Sequence, residues 1–165
     1  ATATKASLYI LARILFSVFE NSENLINNTL LYIILPLSII AMFAGTIMAI
    51  YEKDIKRLLA HSSVAQIGYI TLAFAIGTKA SIAAGFIHMF NHAIIKGGLF
   101  IAITSLGFFI QKRVTINNLS GLGRAMPITF FCFVLCSLSL AGLPLTAGFI
   151  SKLYLIKATI SSDAI

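Results

Sequence analysis

SIAAGFIHMFNHAIIKGGLFIAITSLGFFI, residues 81–110, is an apolar run of thirty residues interrupted by a single charged side chain, Lys96. As a helix it covers about 45 Å, more than the roughly 30 Å hydrocarbon core of a bilayer. Lys96 lies near its centre, too far from either end to snorkel easily. An ammonium at that depth costs roughly 2.5–3.5 kcal/mol on insertion scales, so such residues face a protein interior or a wet cavity. His88 and His92 precede it at spacings of four, which puts all three on one helix face. Proton carriers suit that arrangement, because imidazole titrates near neutrality and a buried ammonium gives up its proton more readily than one in water.

Composition places the rest of the chain in the same environment. With 59% hydrophobic residues, 10% charged and a mean hydropathy of +0.98, too little polar surface exists to face water. Five apolar segments are long enough to span: Thr2–Phe19, Leu30–Tyr51, Leu58–Gly77, Ser81–Ile110 and Pro127–Ile160. Backbone polar groups in lipid must be paired, which leaves helices or a closed barrel, and long runs without alternation exclude the barrel. The expected fold is an all-α integral membrane protein, residues 1–165 forming a single transmembrane region.

The charge pattern speaks for orientation. Lys53, Lys56 and Arg57 lie in one connection and Lys112, Arg113 and Arg124 in another on the same side, whereas the opposite side carries Lys79, Lys157 and the acidic turn Glu20–Glu23. The basic side belongs in the cytoplasm or its organellar equivalent. Charges scattered over short loops do not form a phosphate-tracking groove, so nucleic acid is excluded as a partner. Cys132 and Cys136 sit four apart inside the last segment, a spacing that suits neither a zinc knuckle nor a redox pair. They read as small apolar side chains. The opening Ala-Thr-Ala-Thr does not look like a signal peptide, and a first helix starting so abruptly is expected to belong to a fragment of a longer subunit.

The last segment exceeds one straight span and is interrupted at Ala141-Gly-Leu-Pro144. Proline removes a donor and clashes with the preceding turn, and Gly142 lets the chain open, so two half-helices joined by a break are expected. Breaks of this kind mark ion sites in transporters. Lys152 follows the break by two turns, either as part of such a site or as an interfacial lysine; Lys157 reads as interfacial. A weaker polar track, His61, Ser62, Ser63, Gln66 and Tyr69, occupies the first half of the third segment. Such side chains hold water chains or glue helices together.

Taken together, several strings resemble the antiporter-like subunit family, which joins proton-pumping membrane subunits of respiratory complex I to the large subunits of Mrp-type sodium/proton antiporters. They are ATATKASLY (1–9), DIKRLLAHSSVAQIGY (54–69), HMFNHAIIKGGLF (88–100), GLGRAMP (121–127) and SLAGLPLTAGFISK (139–152). The resemblance covers nearly the whole chain and is closest to the D-type large subunit of the Mrp antiporters. It implies an inverted-repeat transporter fold in which Lys5 resembles the lysine of the eighth helix. His92 and Lys96 resemble the histidine and lysine of the eleventh, and Lys152 the ionisable residue of the broken twelfth. The family's glutamate on the fifth helix and lysine on the seventh have no counterpart here. His61 departs from the tyrosine that relatives commonly carry.

The function so implied is proton translocation through Lys5, His92, Lys96 and Lys152 with water between them, His61, Gln66, Tyr69 and His88 being accessory candidates. The expected setting is a multisubunit sodium/proton antiporter; the alternative is a proton-pumping subunit of NADH:quinone oxidoreductase. Expected partners are other subunits, the lipid bilayer, protons and monovalent cations. No cofactor or metal is expected, and no catalytic centre outside a translocase. A bacterial inner membrane is the expected location, with the mitochondrial inner membrane as alternative. An intramembrane metalloprotease is excluded because its zinc motif needs glutamate where Met89 stands. Two histidines one turn apart cannot take opposite faces of one haem. A purely structural helper is hard to reconcile with three intramembrane lysines, at roughly 8–10 kcal/mol in total on insertion scales.

Overall fold

The computed structural model describes residues 2–18 and 30–160. The acidic turn Glu20–Glu23 and the Phe19 end of the first segment lie outside the described residues. Helix α1 (Thr2–Arg13) continues into a π-helical turn, Ile14–Val18, and a second π turn, Leu30–Ile34, leads into α2 (Leu35–Tyr51). Then follow α3 (Ile55–Ile76), α4 (Lys79–Ile110), a 3-10 turn (Ile116–Leu119), the short α5 (Leu122–Ala125), α6 (Pro127–Ala141) and α7 (Ala147–Ile160). Three helical stretches, Tyr32–Tyr51, Ile55–Ile76 and Lys79–Ile110, are long and apolar enough to cross a membrane. The chain is an all-α integral membrane protein.

Boundaries shift from the sequence expectation where caps decide them. Helix α3 begins three residues earlier than Leu58, because the Asp54 side chain accepts the Lys56 N–H at 2.9 Å and caps the first turn. Lys56 and Arg57 therefore belong to a helix, not to a loop. At the other end Gly77 takes a left-handed conformation (φ 73°), and Thr78 caps α4 by accepting the Ser81 N–H at 3.1 Å. The two basic connections meet: the Ile55 N–H donates to Val114 O at 3.1 Å and the Ile116 N–H to Lys53 O at 3.2 Å.

Helices α2 and α3 approach closely over small residues. A Cβ at Gly45 would stand 2.6 Å from the Ala65 nitrogen, and one at Gly68 would stand 2.7 Å from Met42 Cγ. In lipid, such contacts replace the hydrophobic drive that water supplies elsewhere. The Ser38 hydroxyl adds a bond of 2.8 Å to Thr71 Oγ1 across the same interface. Outward, α2 presents Leu37, Ile40, Phe43 and Ile47.

Helix α4 is the central post, packed by α3, α6 and α7. Toward the basic side Leu59, Leu99, Ile103, Leu106 and Val114 form one apolar cluster. Toward the other side Leu8, Ala12, Ile70 and Phe74 form a second, with Phe86 and Met89 against it. Between these two seals lies a polar layer. Helices α6 and α7 are each about 21–23 Å long, too short to cross alone. Helix α7 buries Gly148, Ser151, Leu155 and Ala158, a single face at heptad-like spacing.

Gly45→Leu should therefore separate α2 from α3 and cost roughly 1–3 kcal/mol by overpacking. Gly97, where an added Cβ would meet nothing within 4 Å, should accept alanine without loss. Thermal unfolding of both variants in detergent checks this; equal melting temperatures would refute the close approach.

Candidate functional site

The site is assembled on α4. Its face carrying His88, His92 and Lys96 turns inward, and all three are buried, Lys96 at 0% exposure and His92 at 1%. Sequence spacing places them on one side of the helix; packing against α3 and α7 turns that side away from lipid.

Lys96 Nζ donates to Leu59 O and to Ser62 Oγ, both at 2.5 Å. The Ser62 hydroxyl in turn donates to Leu59 O at 3.1 Å. Only two of the chain's carboxylates, Glu52 and Asp54, fall among the described residues, and neither is paired with Lys96. The ammonium is thus held by neutral acceptors. Such a cradle solvates the charge without locking it, whereas a partner carboxylate would favour the protonated form strongly.

His88 bridges α3 and α7. Its Nε2 lies 2.9 Å from Gln66 Oε1 and its Nδ1 lies 2.9 Å from Ser151 Oγ. Ser151 donates its own proton to Gly148 O, at 3.1 Å. Which ring nitrogen donates depends on the tautomer and on how the Gln66 amide and the Ser151 hydroxyl are turned. A neutral ring fits the same place once the Gln66 amide turns over or the Ser151 hydroxyl rotates. Either protonation state therefore finds partners without backbone movement. The Tyr69 ring stands edge-on to His88 at 6.4 Å between centroids.

His92 stacks on His88 at 6.3 Å, and neither of its ring nitrogens has a hydrogen-bond partner among the described residues. Gln66, His88, Asn91, His92, Ser139 and Lys152 are among the residues lining a cavity of about 10 Å³. That is the lower limit for one water molecule. Lys5, half-buried on α1, lies within electrostatic reach of His92 and Lys96, and Lys152 within reach of His88.

The helix break is built around Lys152. Gly142 (φ 91°) closes α6, its N–H donating to Leu138 O at 3.0 Å. Lys152 Nζ reaches back to the freed carbonyls of Leu140 and Ala141 at 2.9 and 3.1 Å. The negative end of a helix dipole is a favourable seat for an ammonium. A Cβ at Gly142 would meet Lys152 Cδ at 3.2 Å, so glycine serves both the turn and the lysine. The break is wider than the Ala141–Pro144 string, because α7 begins only at Ala147. Asn91 pins that start, its Nδ2 donating to Ala147 O at 3.1 Å.

One sequence expectation changes here, and two residues are added. His61 does not join Gln66 and Tyr69 around α4; it is half-exposed, 4.0 Å from the Glu52 carboxylate. On a helix, residues five apart diverge, and α4 packs on the Gln66 side. Ser151 and Asn91, not singled out in the sequence, are integral to the site. Ser151 adjoins Lys152, but nothing local signals that it faces a histidine 63 residues away.

A buried polar layer between apolar seals, closed by a discontinuous last helix, defines a helical membrane protein with a protonatable interior. The chain belongs to the family described as NADH:quinone oxidoreductase/Mrp antiporter, TM, which it matches over residues 1–165. It is 37% identical over 164 residues to NADH-quinone oxidoreductase subunit N of Desulforudis audaxviator, covering 99% of this chain and 32% of the relative. It is 36% identical to F(420)H(2) dehydrogenase subunit N of Methanosarcina mazei, covering 76% of this chain and 27% of that one. Among solved structures it resembles a chain of the membrane-bound sulfane sulfur reductase, an archaeal respiratory membrane complex. The TM-score is 0.79 at 33% identity, covering 97% of this chain and 32% of the other. The chain thus spans about a third of the length of these relatives.

If Gln66 and His88 satisfy one another, Gln66→Leu should cost roughly 1–3 kcal/mol by stranding a buried ring nitrogen, and adding His88→Leu should recover part of that loss. Thermal unfolding of the single and double variants decides; strictly additive losses would dissolve the pair.

Proposed function

We propose that this chain is the proton-conducting part of a membrane subunit in a complex I-type respiratory assembly. The observation that carries the proposal is the cradle of Lys96: a fully buried lysine on a carbonyl and a hydroxyl. Packing alone gives no reason to keep an ammonium there, since an apolar residue of similar volume would avoid its desolvation. A group meant to gain and lose a proton needs this kind of neutral, yielding environment.

Protons would pass among Lys5, His92, Lys96 and Lys152. Ser62 lends Lys96 a hydroxyl that both donates and accepts, and His88 joins α3 to α7 through Gln66 and Ser151. One water in the small cavity would bring His92 to the Lys152 side. Coupling would come from electrostatics: charging one lysine raises the cost of charging the next, so a proton arriving at Lys5 favours release from Lys96. The protein contributes positioning, exclusion of bulk water and a line of groups each stable in two protonation states.

The sequence alone leans toward the D-type Mrp protein. The relatives whose printed names are NADH-quinone oxidoreductase and F(420)H(2) dehydrogenase subunits favour the complex I-type branch instead. In that branch quinone reduction in neighbouring subunits drives the protons; in the antiporter branch sodium gradients would. The membrane would be the bacterial inner membrane.

Lys96→Ala in the full-length protein should lower quinone-coupled proton movement in inverted vesicles by about tenfold or more while the complex still assembles. Undiminished pumping would sink the relay, and proton movement that follows sodium but ignores quinone would return the protein to the antiporter branch. Lys152→Ala should approach the same loss, whereas Lys157→Ala, in the last turn of α7, should leave the rate within about twofold of wild type. Equal, mild effects of both would make Lys152 an ordinary interfacial lysine.

A further inference from the structure

On the basic side, outside the polar layer, the end of α4 builds a second feature. Gln111 takes a left-handed conformation (φ 55°) and its N–H donates to Gly107 O at 3.0 Å, which turns the chain back on itself. A Cβ at Gly107 would stand 3.2 Å from Val114 Cγ2, so the returning segment lies directly against the helix. The backbone bonds from Ile55 to Val114 and from Ile116 to Lys53 then hold this return beside the start of α3. Lys112 and Arg113 thereby line, together with Lys56, one open cavity of about 690 Å³. Among the described residues Asp54 is the one carboxylate on its wall, and it accepts the Lys56 N–H as a helix cap. None of the three cations is ion-paired among the described residues.

This cavity does not end at the charged rim. Thr104 and Phe108 belong both to its wall and to a groove of about 590 Å³ that runs on along α4 over Phe100, Ile101 and Ser105. Phe108 is 87% exposed and Ile101 70%, and they are directed away from the protein's own core. A cationic mouth that opens onto an exposed apolar groove along one face of the same helix matches one kind of ligand: a negative headgroup with an acyl chain. Basic pockets between membrane helices on the cytoplasmic side hold anionic headgroups by this logic.

We propose that Lys56, Lys112 and Arg113 bind the phosphate of an anionic phospholipid whose acyl chain lies in the groove beside Thr104 and Phe108. A soluble anion would use the mouth and not the groove. A zwitterionic lipid would fill the groove but bring its own cation to a site already positive.

The test uses the full-length protein in its native complex, purified in mild detergent, with the retained phospholipids extracted and quantified by mass spectrometry. Wild type should hold about one anionic phospholipid per chain, and the triple variant Lys56→Ala/Lys112→Ala/Arg113→Ala should lose it by about fivefold or more. Thr104→Trp, which obstructs the groove without touching a charge, should lose it as well, while Lys53→Ala, a basic change outside the cavity wall, should keep it. Absence of the lipid from wild type, as when the rest of the longer protein covers the groove, overturns the proposal. So does retention by the triple variant, or an equal loss in Lys53→Ala, which would mean diffuse surface charge. Full retention in Thr104→Trp would overturn the acyl-chain half and point to a free phosphate-like anion. Lipid retention is read independently of proton movement, so failure here leaves the relay untouched.

Discussion

The packing of this structure turns on how the fully buried Lys96 side chain is held. Among the described residues its amine meets no carboxylate and rests on one carbonyl and one hydroxyl of the neighbouring helix. That choice constrains the rest. Helix α3 must present Leu59 O and Ser62 at the right height, so it must lie close to α4 over most of its length. The two apolar clusters above and below then exclude bulk water, which would otherwise screen every charge in the layer.

The same constraint governs Lys152. Its partners are backbone carbonyls that are open only because the last helix is broken, so the break and the lysine depend on one another. An unbroken helix would have used those carbonyls internally, and the ammonium would have had nothing to bind in lipid. Gly142 provides the left-handed turn and also the space beside the lysine side chain. Leu145 shares the left-handed conformation at φ 73°, which is strained for a branched side chain, and it is fully exposed at the tip of the break. The chain tolerates strain at the one place where a regular helix would defeat the site.

His88 ties α3 to α7 through two adaptable partners. Its two partners, an amide and a hydroxyl, each reverse their hydrogen-bonding sense by rotation about a single bond. His92, stacked one turn away without a partner among the described residues, has no such anchor and faces the small cavity instead. The pair thus combines one histidine that ties helices together with one that makes no hydrogen bond among the described residues.

The helices, their length and apolarity for crossing a membrane, the shared face of His88, His92 and Lys96, and the interruption before Lys152 can all be read from the order of residues. These are properties of hydrophobicity, period and backbone chemistry along a single stretch of chain, and they survive whatever packs against it. Tertiary structure alone decided what each buried group touches. Lys96 found its acceptors 37 and 34 residues away, and His88 found Ser151 at a distance of 63. His61 was drawn to Glu52 and out of the polar layer, although its spacing to Tyr69 is that of a common face. The reason is physical: periodicity tells which side of a helix is polar, but the depth and angle at which two helices cross determine which polar atoms come within bonding reach. Those angles follow from close contacts at Gly45 and Gly68, from the caps at Asp54 and Thr78, and from the break at Gly142, acting together.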